Sequence, residues 1–236
     1  MSLHLTASNI FKSYNGDAVL KDCSFSFDQG GVYVLTGPNG SGKSTFLRIC
    51  ALIESQDSGE VHYVSGGQVL NNDLALKRRI TLVLPKVGLF NTSVFRNVAY
   101  GLTIRGIKGP EANRRVDKVL DFVGLSHKKV QNARTVSSGE AQRLGIARAL
   151  VIEPEILFLD EPTASVDQKN TGIIEGIIHT MKQDGKVTVI MTTHYRDQAA
   201  RLADRLLVMK DGEILSVPFE KEQFTNTCLE RNFEEI

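Results

Sequence analysis

Gly37-Pro38-Asn39-Gly40-Ser41-Gly42-Lys43-Ser44-Thr45 is the stretch on which the reading of this chain turns. It fits the spacing G-x-x-x-x-G-K-[ST], which carries meaning only between a strand and a helix. Before it stands a short apolar run, Val32 to Leu35, entered through Gln29-Gly30-Gly31 and left at Gly37. Such a run, bounded by turn residues, reads as a strand buried on both faces. After it, from Ser44 to about Glu54, Phe46, Leu47, Cys50 and Ile53 recur at helical spacing. The glycines let the backbone wrap closely and aim successive N–H groups at an anion, and the helix N-terminus adds its partial positive charge. In that setting Lys43 supplies a full charge for β- and γ-phosphates, Ser44 a hydroxyl for Mg²⁺, and Thr45 a secondary phosphate contact.

A second strand ends in acid. Ile156-Leu157-Phe158-Leu159 runs into Asp160-Glu161, and ligands of open α/β sheets sit beyond the carboxyl ends of the strands. Asp160 is then placed to hold Mg²⁺, and Glu161 to polarise the attacking water as general base. Val187 to Met191 is a third buried run, and it leads through Thr192-Thr193 to His194 at the same edge. A histidine there can sense the γ-phosphate and position water. His4, His62, His127 and His179 have no such placement and read as ordinary polar residues. Ile173, Ile174, Ile177 and Ile178 lie between the second and third strands at helix spacing. Strand, helix, strand in this order implies a parallel sheet. The reading is an α/β fold with a RecA-like, P-loop NTPase core.

Outward from that core, Leu3 to Tyr14 and Ala18 to Phe27 are expected as two strands joined at Asn15-Gly16, a hairpin signal. Cys23, Phe25 and Phe27 alternate with Ser24 and Ser26, so one face of the second strand is wet. Residues 60–80 hold a further strand, a Gly66-Gly67 turn and Lys77-Arg78-Arg79, read as a solvated face, before the β-rich run Ile80 to Leu84. From 86 to 150, Val116, Val119, Leu120 and Val123 recur at helical spacing between glycine breaks, which marks a helical insertion. Leu206 to Met209, Asp211-Gly212 and Ile214 to Val217 form a closing hairpin.

The chain of 236 residues suits one domain with an inserted subdomain. Its 42% hydrophobic and 23% charged residues are ordinary for a globular protein. A net charge of +1 draws it neither to nucleic acid nor to an anionic membrane. Cys23, Cys50 and Cys228 are odd in number and far apart, which argues against a disulfide framework or zinc and for buried thiols in a reducing compartment. Met1 to Ile10 has no apolar core of a signal peptide, and no stretch reaches bilayer-spanning length. A transport role would therefore leave the pore to other chains.

Val136-Ser137-Ser138-Gly139-Glu140, followed by Ala141-Gln142-Arg143, narrows the class. Ser137-x-x-Glu140 has capping-box spacing at the start of a helix whose Leu144, Ala147, Leu150 and Val151 face inward. A helix start carrying serine and glycine is a second anion site. The stretch resembles the signature motif of ABC ATPases. Asp160-Glu161-Pro162-Thr163 and Ala164-Ser165-Val166-Asp167 resemble that family's Walker B extension and D-loop, Tyr14 the aromatic that stacks on adenine, and His194 its switch histidine. The resemblance runs from about Leu3 to Val217.

The resemblance implies a single ABC ATPase domain over 1–236, with an N-terminal antiparallel β subdomain. Residues 1–84 and 151–236 form the core and β subdomain, and 85–150 the helical signature subdomain. It implies ATP and Mg²⁺ as cofactors. Lys43, Glu161 and His194 are the implied catalytic residues, and Ser44 and Asp160 the metal ligands. The rest of Gly37 to Thr45, with Tyr14, Asp160, Ser137, Gly139 and Glu140, binds nucleotide. Two copies would sandwich two ATP head to tail, the signature of one closing over the γ-phosphate of the other and the Asp167 region linking the sites. Implied partners are integral membrane permease subunits with a solute-binding protein, and no nucleic acid. The implied location is cytoplasmic, peripheral on the inner face of the membrane. The segment around Val87 to Asn97, with Leu89, Phe90, Val94 and Phe95, is expected as a groove for a short coupling helix of the membrane subunit.

This chain departs from the family's pattern. Leu84-Pro85-Lys86 stands where the Q-loop glutamine should end a strand. Proline has neither the side-chain amide nor the backbone N–H, and Gln68 comes too early to substitute. Val136, Ser138 and Glu140 are tolerable changes in the signature. General likeness to compact anion-importer ATPases points to an oxyanion cargo such as tungstate or molybdate. Two rival classes are a soluble ABC protein acting on ribosomes or DNA, and a regulator of cell-envelope or division machinery. The first calls for linked cassettes or long coiled coils, which this chain lacks. A GTPase would need an Asn-Lys-x-Asp motif, which is also missing.

Overall fold

Asn15 and Gly16 both take left-handed backbone, φ 53° and 94°, the conformation that a two-residue hairpin turn requires. They join β1 (Leu3–Tyr14) to β2 (Asp17–Phe27) as expected, and Ser24 and Ser26 face solvent while Cys23 and Phe27 are buried. The computed structural model describes residues 3–216; Val217, at the expected end of the closing hairpin, and Cys228 lie outside the described residues.

β3 (Val32–Thr36) is buried at every position and leads through the glycine loop into α1 (Lys43–Cys50). The helix is shorter than the sequence suggested. Ile53 is 69% exposed and lies outside it. The carbonyl of Cys50, orphaned at the helix end, is taken by the buried hydroxyl of Tyr63, and the chain turns away. Then come β4 (Ser58–Ser65), β5 (Gln68–Val69), the short α2 (Leu74–Lys77) and β6 (Ile80–Val83). Three helices stand between β6 and the next strand: α3 (Val94–Ile104), α4 (Gly109–Phe122) and α5 (Ser138–Leu150). The chain returns through β7 (Ile156–Leu159), α6 (Gln168–Asp184), β8 (Thr188–Thr193), α7 (Arg196–Leu202), β9 (Arg205–Lys210) and β10 (Glu213–Ser216).

The strands form two sheets. One is antiparallel with order β2-β1-β4-β5, and the other has order β10-β9-β3-β8-β7-β6. In the second, β3, β6, β7, β8 and β9 run parallel and only β10 is reversed. Side chains of a strand alternate between faces, and here both faces are covered. Val32, Val34, Leu157, Leu159, Val189 and Met191 join a core shared with α3 to α7. Tyr33, Leu35, Ile156, Phe158 and Ile190 join a second core with α1 and the antiparallel sheet. This double burial explains why these runs are continuously apolar. Cys23 and Cys50 are free and buried, and burial pushes the Cys23 thiol up to about 11 and that of Cys50 higher. Among the described residues no helix is long and apolar enough to cross a membrane.

Two expectations need correction. Val94 and Asn97 do not line an open groove, because both are fully buried. Asn97 accepts from Phe90 N–H and donates to the carbonyls of Phe90, Thr92 and Ser93, so it fixes the turn before α3. The second concerns Lys77-Arg78-Arg79. Arg79 leaves the solvated face: its Nε and Nη2 meet both carboxylate oxygens of Glu155 at 2.5 and 2.8 Å, and Nη2 reaches Ser65 Oγ at 3.1 Å. Its side chain is 27% exposed and that of Glu155 35%, so solvent screens the pair. Arg79→Ala is therefore expected to cost about 1 kcal/mol in urea unfolding, well short of the ~3–5 kcal/mol of a buried pair. A loss above that lower range would mean that the pair is effectively dry.

Candidate functional site

The next strand of the same sheet after β3 is β6, which lies three strands away across β8 and β7. The order reverses beside β3, and crevices of this kind open at the carboxyl ends of strands. The glycine loop leaves β3 there, Asp160-Glu161 leave β7, and His194 leaves β8.

The loop is shaped around something anionic. Gly37 has φ 150°, and a Cβ on it would stand 2.1 Å from the carbonyl oxygen of Met209 on β9, so only glycine fits. Lys43 is buried, and its Nζ donates to the carbonyls of Gly37 and Pro38 at 2.9 and 2.8 Å. Burial pushes its ammonium below the ordinary lysine value, and the charges of Glu161 and Asp160 oppose that shift. Ser41 Oγ is buried without a hydrogen-bond partner. A cation whose hydrogen bonds go to loop carbonyls and an orphaned hydroxyl are what a phosphate would satisfy. Thr45 is engaged on another side, where its hydroxyl accepts from Arg48 Nη2 at 3.3 Å.

Asp160 ties the three strand ends together. Its Oδ1 accepts from Ser44 Oγ and from Thr192 Oγ1, each at 2.7 Å. Serine hydroxyl and carboxylate are the hard oxygen donors that Mg²⁺ selects, so the residues present fit that ion. Glu161 sits in left-handed backbone, φ 45°, a costly state for a side chain of its size. Two bonds hold it there: its N–H donates to Thr192 Oγ1 at 2.9 Å, and its carbonyl accepts from Ala164 N–H at 3.0 Å. Its Oε1 is 3.4 Å from His194 Nδ1. That nitrogen is buried without a hydrogen-bond partner, and the imidazole packs on the Tyr195 ring at 4.0 Å. Glu161, His194, Lys43 and the Ser44–Asp160 pair thus share one edge.

Tyr14 ends β1 beyond this edge, 40% exposed. Its hydroxyl donates to Glu54, which pairs with Arg48 at 2.9 Å, and Arg48 meets Thr45. The ring is thereby tied to α1. Ser137, Gly139 and Glu140 make their contacts elsewhere, at the start of α5. Ser137 is the N-cap, and the capping box closes as expected: Ser137 Oγ accepts from Glu140 N–H at 3.3 Å and Glu140 Oε2 from Ser137 N–H at 2.9 Å. The Ser137 N–H and the Lys128 ammonium hold the Glu140 carboxyl below its usual range. A Cβ on Gly139 would meet Asn170 Cγ at 2.4 Å, so α6 is seated directly on the signature glycine. Asn170 in turn donates to the Asp167 carboxylate from N–H and Nδ2 at 2.9 and 2.6 Å.

Sequence reasoning missed Thr192, Asn170 and the Glu54–Arg48 pair. Thr192 carried a usable signal, since polar side chains at a buried strand's carboxyl end face the ligand edge. Asn170 against Gly139 and Glu54 against Tyr14 carried none, because those partners are distant in sequence, whereas Arg48 lies only six residues before Glu54.

Residues 20–164 match the family described as ABC transporter. The tungstate uptake system ATP-binding protein TupC of Peptoclostridium acidaminophilum is 39% identical over 212 residues, covering 90% of this chain and 97% of that protein. The molybdate/tungstate import ATP-binding protein WtpC of Thermococcus kodakarensis is 34% identical, over 96% of this chain and 68% of that one. Among solved structures, CbiO1 from Clostridium perfringens, part of the ABC transporter complex CbiONQ, superposes with a TM-score of 0.82 at 29% identity, over 98% of this chain and 94% of that chain.

Thr192→Val keeps the shape but leaves the Glu161 N–H without its acceptor and Asp160 short of a donor. The expected cost is about 1–3 kcal/mol in denaturant unfolding, with Thr192→Ser restoring most of it. A change in Thr192→Val below about 0.5 kcal/mol would show that the bonds to Thr192 carry no weight.

Proposed function

The chain belongs to the ABC transporter family of ATP-binding, ATP-hydrolysing subunits, and from that premise we propose how it works: two copies close head to tail around two ATP molecules and drive import of an oxyanion, of the tungstate or molybdate kind, through separate permease subunits. The observation that carries the proposal is the convergence at one sheet edge, with Ser44 2.7 Å from Asp160 and Glu161 3.4 Å from His194.

In this reading the loop N–H groups and Lys43 bind the phosphates and Tyr14 stacks on the adenine. Ser44 and Asp160 hold Mg²⁺, which when bound neutralises charge on the phosphate oxygens. Glu161 accepts the proton of the attacking water, and His194 orients that water and the γ-phosphate. Ser137 and Gly139, with the Glu140-capped end of α5, supply the second anion site to the other copy. Of the described residues, 3–84 and 151–216 act as core and β subdomain, and 85–150 as the signature arm.

The oxyanion reading draws support from relatives named for tungstate, for molybdate/tungstate and for phosphate import, the last 37% identical over 224 residues. A solute-binding protein would deliver the cargo, and the chain would work on the inner face of the membrane. For the permease contact, a groove of about 280 Å³ is lined by Leu84, Lys86, Val87, Tyr100 and Arg148. Phe90 is stacked against the lining residue Tyr100 at 4.7 Å and lies under the Arg148 guanidinium at 4.9 Å. The groove shares Val87 with the segment Val87 to Asn97 expected from sequence, while Val94 and Asn97 are buried away from it.

Glu161→Gln removes the base and keeps the phosphate cradle. Its expected effects are a fall in kcat of about 10²–10⁴-fold, ATP affinity within about twofold, and a stable dimer in ATP by light scattering. Turnover at the parental rate, or a variant that stays monomeric in saturating ATP, would contradict the proposal.

A further inference from the structure

Gln198 is almost fully buried on α7, four residues after His194. A buried glutamine is usually just a satisfied polar group, so the identity of its partners decides whether it is more. Its Oε1 accepts from Thr193 Oγ1 at 2.8 Å. Thr163 Oγ1 lies 3.0 Å from Oε1 and 2.9 Å from Nε2. Nε2 also donates to Glu175 Oε1 on α6 at 3.0 Å, and Glu175 is anchored in turn by Arg201 at 2.8 Å.

Both hydroxyls belong to segments that carry the chemistry. Thr193 immediately precedes His194, and its Oγ1 accepts from Tyr195 N–H at 3.1 Å, closing the short turn on which His194 rides. The Thr193 proton has to point somewhere for its lone pair to face that N–H, and Gln198 Oε1 receives it. Thr163 is the third residue of the turn that begins at Glu161, closed by the bond from Ala164 N–H to the Glu161 carbonyl at 3.0 Å. That turn starts from Glu161 in left-handed backbone, which persists only when its surroundings over-determine it. Thr192 grips the Glu161 N–H from below, and Gln198 grips the far side of the same turn.

We propose that Gln198 is a positioning residue for ATP hydrolysis: its amide locks the turn after Glu161 to the strand end bearing His194, and so holds the carboxylate and the imidazole in register. The proposal rests on the reading of Glu161 and His194 as the groups that handle the attacking water. Gln198 itself meets neither of them; it acts through Thr163 and Thr193. The amide suits the task because one end must accept hydroxyl protons while the other faces the Glu175 carboxylate.

The test is steady-state ATPase kinetics on Gln198→Leu, with ATP affinity and thermal unfolding measured on the same protein. A misplacement of the order of 1 Å costs up to about a hundredfold in rate. The expected result is a fall in kcat of about tenfold or more, with KM and ATP affinity within about twofold. In a His194→Ala background the same substitution should cost less than in the parent, because one of the two groups it holds in register is gone. Thr163→Val breaks the contact from the other end and should reproduce the kcat loss; it keeps the test open if Gln198→Leu fails to fold. Parental kcat in Gln198→Leu or Thr163→Val with only a lowered melting temperature would overturn the proposal, as would an undiminished further loss in the His194→Ala background. Failure of the underlying site reading shows separately, as parental turnover in Glu161→Gln.

Discussion

Everything at the nucleotide edge depends on one buried carboxylate. Asp160 is 2% exposed, and burying such a group costs several kcal/mol unless hydrogen bonds compensate. The compensation comes from two other segments: Ser44 lies in the first turn of α1, and Thr192 stands near the end of β8, and both donate to the same oxygen. Neither donor can be met unless β3, β7 and β8 are side by side and in register. The pairing of β7 with β8 and of β8 with β3 supplies that, and the double-faced apolar burial of those strands supplies the pairing. Stability and chemistry are thus coupled at Asp160, where the groups that fold the edge are those that would meet the metal.

The same coupling explains the tolerance of strain at the next residue. Glu161 lies in a backbone region that disfavours its side chain, yet it is flanked by a threonine hydroxyl on one side and a closed turn on the other. Strain held this way fixes where the carboxylate points. The nearby His194 gains its direction from the Thr193 turn and from the Tyr195 ring. The arrangement is held by the protein's own hydrogen bonds and packing, which is how positioned groups contribute most.

Much of this was legible in the sequence, for physical reasons that differ by element. The phosphate loop could be read because its spacing and its strand and helix flanks are local. The hairpin at Asn15-Gly16 and the capping box at Ser137 and Glu140 were equally local, and both stand as expected. The buried strands showed as apolar runs because both faces are covered. What escaped was long-range pairing. Nothing near Arg79 announces Glu155, and nothing near Gly139 announces Asn170. The end of α1 was misjudged because Tyr63, far along the chain, takes the carbonyl at Cys50. Val94 looked like a groove residue because an apolar helix start gives no sign of which way it faces. Pro85, where the resemblance calls for a glutamine, stands between Leu84 and Lys86, which line the groove beside it.

The central claim, that Ser44 and Asp160 form one metal–phosphate site, is open to a direct measurement: calorimetric titration of ATP into the parent protein and Asp160→Asn, each with Mg²⁺ and with a chelator. The account expects Mg²⁺ to tighten ATP binding by about tenfold or more in the parent, of the size that charge-assisted contacts supply. It expects that gain to vanish in Asp160→Asn while metal-free binding persists. An Asp160→Asn protein that keeps the full Mg²⁺-dependent gain would place the metal elsewhere and contradict the account.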